Sequence, residues 1–168
     1  YAVCKYLKIP IKFFKASIKS FKGLPFRSSI TLKTKYKTII NNSKATNVNS
    51  ALFTLEDKKN IFLILGGIAK KGDEFKKFQR FKNDIQKIYI YGKSRLLINK
   101  QIRLPEISEV HTNLKKVLEN VCKHVANFDE KATIIFAPAC ASFDQFENFE
   151  KRGNYFNQLI LNKIKKWK

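Results

Sequence analysis

The chain has 168 residues, 44% hydrophobic and 28% charged, which is long enough for one domain with a real core and sits in the globular range. Its 34 basic and 13 acidic residues give a net charge of +21, but the lysines are spread along the whole chain while Met is absent and Asn, Ile and Phe are abundant, as biased codon usage produces. No apolar run approaches the ~20 residues of a membrane-spanning helix, and no RNA-binding signature, zinc-finger spacing or heptad run accompanies the charge, so neither membrane insertion nor a nucleic-acid partner is expected.

Residues 1–8 read as the end of a helix already under way, and with no initial Met the chain is expected to be a fragment of a longer protein. Pro10 suits the first turn of a second helix, in which Ile11, Phe14, Ile18 and Phe21 share one face and Lys12, Lys15, Lys19 and Lys22 another. Such a basic amphipathic helix lies on a membrane surface or, more commonly, packs on its own domain, and the second outcome is expected. Leu24-Pro-Phe-Arg27 is a linker-like turn and the candidate domain boundary. Strands over Ser29–Thr34 and Tyr36–Asn41 suit a hairpin around Lys35. A helix then carries Val48, Ala51, Leu52 and Leu55. The apolar run Asn60–Gly67 reads as a buried strand, Asp73–Phe81 as a helix, and Lys87–Tyr91 as a further strand. Ser94–Asn99 suits a short helix and Ser108–Val110 a brief strand. Leu114, Val117, Leu118, Val121 and Val125 form one helical face. Ala132–Phe136 reads as a strand, Ala137–Ser142 as a turn of small residues, and Phe143 onward as helical, with Ser142 as a candidate cap. Phe149, Phe156, Leu159, Ile160 and Ile164 line the terminal helix. Strands alternating with helices predict an α/β layer fold with a mostly parallel sheet.

Cys4, Cys122 and Cys140 lie far apart with no metal-ligand spacing, and an odd count without a signal peptide fits a reducing cytoplasm. His111 and His124 have no Cys/His cluster and read as helix-surface or helix-edge residues. No metal site is expected, and no Ser–His–Asp or Cys–His set is visible. Gly66–Gly72 matches neither a Walker phosphate loop nor the dinucleotide Gly-x-Gly-x-x-Gly pattern.

Three strand-to-helix junctions carry small, hydroxyl or lysine residues: 42–47, 66–72 and 138–142. In an open parallel sheet all strand carboxyl ends lie on one edge, where ligands bind. Lys44, Thr46, Lys70 and Ser142 are therefore candidates to converge on a small anion, a carboxylate or phosphate, at helix N-termini. The plainer reading, that loop lysines are simply solvated, stands beside it.

The strings themselves carry more. Asn42-Ser-Lys-Ala-Thr-Asn47, Ile64-Leu-Gly-Gly-Ile-Ala-Lys70 and Pro138-Ala-Cys-Ala-Ser-Phe-Asp-Gln-Phe-Glu-Asn-Phe-Glu-Lys-Arg-Gly153 occur in this order. Together they resemble the C-terminal part of the UDP-N-acetylmuramoyl-L-alanine–D-glutamate ligase family, over nearly the whole chain. The resemblance implies a Rossmann-like Mur ligase C-terminal domain over residues 23–168, preceded at 1–22 by the tail of a central ATP-binding domain. It implies ATP-dependent joining of D-glutamate to UDP-N-acetylmuramoyl-L-alanine in peptidoglycan synthesis, a cytoplasmic step carried out by a monomer with ATP and Mg2+. By the same resemblance, Thr46, Lys70, Ser142 and Phe149 fall on positions that hold D-glutamate. Arg27, Asn42 and Lys44 fall on the nucleotide side.

Two departures bear on that nucleotide side. The family usually has Asp where Asn42 stands, and Asn lacks the charge for a strengthened bond to a ribose hydroxyl. It usually has His where Phe26 stands. The phosphate loop and magnesium ligands of the family would lie before Tyr1, so the fragment alone is expected to be inactive. The competing readings are a basic module binding nucleic acid or a membrane surface, and a degenerate ligase remnant that has lost ATP use.

Overall fold

Ile61–Gly66 is apolar on both pleat faces, and every residue in it is buried, as befits a strand covered on both sides. In the computed structural model, which describes residues 1–164, this strand lies inside a six-stranded sheet. The last four residues of the expected domain lie outside the described part. In chain order the elements are α1 (Ala2–Tyr6), α2 (Ile11–Ser20), β1 (Ser29–Lys33), β2 (Lys37–Asn41), α3 (Val48–Leu55) and β3 (Ile61–Gly66). A 3-10 helix (Phe75–Phe81) leads to β4 (Ile85–Tyr91), followed by α4 (Arg95–Ile102), β5 (Ser108–Val110), α5 (Leu114–Ala126), β6 (Ala132–Ala139) and α6 (Phe149–Ile164).

The sheet order is β1-β2-β6-β3-β4-β5. The β1–β2 hairpin is antiparallel and every other pairing is parallel, so the fold is the expected mostly parallel α/β layer. One face is covered by α3, the 3-10 helix and α4, which pack Leu52, Leu55, Phe75, Phe78 and Ile98 on Leu63, Leu65 and Ile90. The other is covered by α5 and α6, with Val117, Val121, Phe156 and Ile160 on Ile64, Tyr89 and Phe136. The loops after β3 and β6, which are neighbours in the sheet, lead on to elements that cover opposite faces.

Four expectations are corrected. Asp73–Phe81 is not an α-helix but a 3-10 helix that begins at Phe75, because Asp73 is drawn back into its own turn, where Oδ2 accepts the Lys70 N–H at 2.7 Å. The opening strand does not stop at Phe136 but runs to Ala139. Pro138 is tolerated there because β2 has already ended opposite Phe136, so no neighbour on that side needs its missing N–H. The last helix begins at Phe149, not Phe143. Residues 143–148 instead form turns closed by the Ser142 carbonyl, which accepts from Gln145 and Phe146 N–H, and Asn148 caps the helix by accepting the Lys151 N–H at 2.7 Å. Finally, α2 does not pack on the sheet. None of its residues is buried, and Ile11, Ile18 and Phe21 are exposed.

Candidate functional site

β2 ends in Asn41, and from there the chain enters the first candidate loop under close control. Asn41 Oδ1 accepts the Ser43 N–H at 3.0 Å, while its Nδ2 donates to the Gly153 carbonyl (3.0 Å) and to Asn157 Oδ1 (2.8 Å) on α6. Asn42 is buried, and its Nδ2 donates to Thr54 Oγ1 of α3 at 2.7 Å. That bond leaves the carbonyl oxygen as the free end of the Asn42 amide. Thr46 follows half-buried, and Asn47 caps α3 by accepting the Ser50 N–H. The loop is thus held at both ends before any ligand is considered.

Arg27 lies on the other side of that loop, between Phe26 and Ser28, both of which adopt positive φ (60° and 51°). Left-handed backbone costs a non-glycine residue about 1–2 kcal/mol, and here the Phe26 carbonyl is rewarded with the Lys44 N–H at 3.0 Å. The Phe26 ring presses on Gly153, where any Cβ would collide with it. Phe26 therefore serves as packing and offers no polar atom to a ligand. Arg27, Asn42 and Lys44 line one cavity of about 590 Å³, together with Ser28 and Ser50. Arg27 and Lys44 also border a neighbouring cavity of about 410 Å³ that includes Phe149. The Lys44 ammonium sits 3.8 Å from the centre of the Phe149 ring, within cation–π range. Two cations and no carboxylate at the first cavity make a donor set suited to an anion such as phosphate.

Lys70 and Ser142 sit on the two loops that follow β3 and β6. Ile68 and Ala141 exchange both backbone hydrogen bonds (2.9 and 3.0 Å), so these loops run side by side just ahead of the two residues. Lys70 is exposed and Ser142 is buried, 3% accessible. Ser142 does not cap a helix. The structure thus gathers Arg27, Asn42 and Lys44 round one cavity and joins Lys44 to Phe149, while Thr46 on the same loop, and Lys70 and Ser142 on the loops after β3 and β6, stand outside that cavity. Among the described residues, no group of three or more His, Cys, Asp or Glu side chains converges as a metal site.

The residue that sequence reading missed is Arg152. It is fully buried, and its guanidinium donates to Ser43 Oγ (3.0 Å), the Ser43 carbonyl (2.8 Å) and the Cys140 carbonyl (3.0 Å). Removing a cation from water costs several kcal/mol, so it stays buried only because charged hydrogen bonds, worth about 1.5–3 kcal/mol each, replace its hydration. It thereby bolts the Asn42–Asn47 loop to the end of β6 and to α6. A signal for it existed. At spacing i, i+3, i+7 and i+11, Phe149, Arg152, Phe156 and Ile160 share one helical face, and a charge on an apolar face asks for a partner. Beside it, burial pushes the Cys140 thiol up to about 12, so this cysteine is a packing residue and no nucleophile.

The two histidines form a separate group toward the β5 edge of the sheet, and His111 stands in the loop after β5 instead of on a helix. Tyr89 Oη and His124 Nδ1 are 2.6 Å apart, and Glu109 faces Lys87 Nζ (2.7 Å), His111 Nε2 (3.4 Å) and His124 Nε2 (3.9 Å). This cluster pins the three-residue edge strand β5 to β4 and α5.

Known proteins share this chain's sequence and fold. It is 35% identical over 156 residues to the UDP-N-acetylmuramoylalanine–D-glutamate ligase of a Hydrogenobaculum species, covering 90% of the chain and 36% of that protein. It is 38% identical over 148 residues to the ligase of that name from Francisella tularensis, covering 86% of the chain and 35% of that protein. The chain spans about a third of the length of these curated relatives. No family model matches it. Among solved structures, MurF from Acinetobacter baumannii superposes with a TM-score of 0.62 at 12% identity, over 95% of this chain and 35% of that one. An ADP-bound folylpolyglutamate synthase from Mycobacterium tuberculosis superposes at 0.52 with 13% identity, over 82% of this chain and 32% of that one. These likenesses are of fold: a Mur ligase C-terminal domain. Over 86–90% of its length the chain is thus similar to UDP-N-acetylmuramoylalanine–D-glutamate ligases.

Proposed function

We propose that this chain is the D-glutamate-binding C-terminal domain of an ATP-dependent ligase that adds D-glutamate to UDP-N-acetylmuramoyl-L-alanine in the cytoplasm. Residues 1–22 belong in this reading to the end of a central ATP-binding domain and residues 23–168 to the C-terminal one. The observation that carries it is the 35–38% identity to ligases of that name over 86–90% of the chain. The cavity bordered by Arg27 and Lys44 is consistent with it, because two cations without a carboxylate suit nucleotide phosphates.

In this reading Arg27 and Lys44 hold phosphate oxygens, and the free carbonyl oxygen of Asn42 accepts from a ribose hydroxyl. Lys70 pairs with a carboxylate of D-glutamate, the Ser142 and Thr46 hydroxyls donate to it, and Phe149 walls the pocket while its ring steadies Lys44. When bound, the nucleotide supplies the phosphoryl group that activates the acceptor carboxylate. Magnesium is assigned no ligand in this chain. The task of these residues is to hold two reactants close, which is where positioned reactions gain most of their rate.

The test is phosphate release from ATP by the complete ligase that carries this chain. Release should require D-glutamate and the nucleotide substrate together. Lys70→Ala should raise KM for D-glutamate, and Arg27→Ala should raise KM for ATP. Release independent of D-glutamate sinks the proposal.

A further inference from the structure

Three loops leave the carboxyl edge of β3, β4 and β6, and the one after β4 carries none of the residues assigned to D-glutamate. It is nevertheless tied to both of the others. The Ser94 N–H donates to the Gly67 carbonyl at 3.0 Å, and Ser94 Oγ accepts the Ala69 N–H at 2.9 Å, next to Lys70. On the other side, the Lys93 N–H donates to Asp144 Oδ2 at 2.9 Å, two residues past Ser142. With the Ile68–Ala141 bridge these contacts close a triangle: β3 loop to β6 loop, β3 loop to β4 turn, β4 turn to β6 loop. Two of its three sides include a bond to one side chain, Ser94 or Asp144.

The β4 turn is shaped to admit that carboxylate. Gly92 has φ +83°, and a Cβ there would run into Asp144 Oδ2 and the Gly67 backbone. Only glycine lets the turn lie this close at this angle. Among the described residues, Asp144 Oδ1 is buried without a hydrogen-bond partner. The fold therefore uses Asp144 as an acceptor for one N–H and makes no use of its second oxygen.

We propose that Ser94 and Asp144 are positioning residues for the D-glutamate site: acting through the β4 turn, they set the separation between the loop that carries Lys70 and the loop that carries Ser142. The inference rests on the D-glutamate reading of those two residues. Neither Ser94 nor Asp144 touches substrate. Each acts by holding a backbone from which a ligand-binding side chain projects, and small displacements of such groups cost binding steeply.

The experiment measures KM for D-glutamate and for ATP in the complete ligase carrying Ser94→Ala, Asp144→Ala or Asp144→Asn. Ser94→Ala and Asp144→Ala should each raise KM for D-glutamate about tenfold, the effect of losing one hydrogen bond, with KM for ATP unchanged. Asp144→Asn keeps an acceptor for the Lys93 N–H and should restore the D-glutamate KM. Unchanged KM in both alanine variants, an equal rise for both substrates, or an asparagine variant as impaired as the alanine one overturns the proposal. Ser94→Ala keeps every backbone bond of its turn, so it carries the test if Asp144→Ala does not fold. Lys70→Ala serves as the control. If it raises KM for D-glutamate while the Ser94 and Asp144 variants do not, only the positioning role falls. If it has no effect, the D-glutamate reading falls and this inference with it.

Discussion

Helices α2 and α5 carry the same kind of sequence and meet opposite surroundings. In α2 the apolar residues Ile11, Phe14 and Ile18 alternate with Lys12, Lys15 and Lys19, and in α5 Leu114, Val117, Leu118, Val121 and Val125 alternate with Lys115, Lys116 and Lys123. All five apolar residues of α5 are fully buried, while no residue of α2 is, and Ile18 is 61% exposed. The two differ in what lies opposite. α5 faces Tyr89 and Phe136 of the sheet and packs beside α6, whereas Phe14 of α2 meets the Tyr1 ring edge-on, at 5.7 Å. An amphipathic pattern says which face a helix is able to bury, and a partner surface decides whether it does so.

The sharpest way to break that comparison is truncation on each apolar face. Leu118→Ala should cost about 2–5 kcal/mol in urea unfolding, because it opens a cavity in a packed core. Ile18→Ala should change stability by less than about 0.5 kcal/mol. Equal effects would show that α2 is as well packed as α5.

Thiol chemistry reads the same contrast. Cys122 of α5 is buried and burial pushes its thiol up to about 11, so only about one part in a thousand is thiolate at pH 8. Cys4 of α1 is half-exposed. A thiol reagent should label Cys4 promptly in the native protein and reach Cys122 and Cys140 only on unfolding, as mass spectrometry of the digested protein would reveal.

A smaller effect separates the helix starts. Asn113 Oδ1 accepts the Lys116 N–H at 3.0 Å and caps α5, so Asn113→Ala should cost about 1 kcal/mol in thermal unfolding. Pro10 makes no side-chain cap to α2, and Pro10→Ala removes no such bond.

The smallest effect comes from pH at the foot of α5. Burial works to raise the Glu109 carboxyl, but the Lys87 ammonium, with His124 and His111 beside it, outweighs this and holds it below the usual carboxylate range. A depressed folded pKa means stability that is present above the unfolded value and lost as pH falls through the folded one, here below about 4.3. The pair is partly exposed, so the loss should stay within about 1 kcal/mol. Glu109→Gln should flatten the acid limb of stability against pH, and an unchanged limb would count against the pairing.

Much of the fold was legible in residue order. The α5 face, the β1–β2 hairpin, the buried run of β3 and even the three-residue β5 follow from local periodicity and turn residues. The candidate loops were legible too, because small residues and lysines after apolar runs mark strand ends. The β6–α6 junction was not. Pro138 looks like a strand stopper, and it is harmless only because β2 ends beside it, a fact about a neighbour nearly a hundred residues away. Arg152 escaped for a similar reason: its partners Ser43 and Cys140 come from different loops, and spacing along α6 shows only that some partner is required.

By itself the sequence determined most of the element types, the helical faces, the mostly parallel α/β class and, through three long strings, the resemblance to a ligase family. Those depend on near neighbours along the chain, where backbone geometry and side-chain period act directly. Only the tertiary structure decided which pieces meet. It drew Arg27, Asn42 and Lys44 round one cavity, laid Lys44 over Phe149, closed the β3, β4 and β6 loops through Ser94 and Asp144, and left α2 without a surface to cover. Each of these is a contact between segments that share no local code, set by sheet order and by which face each helix crosses.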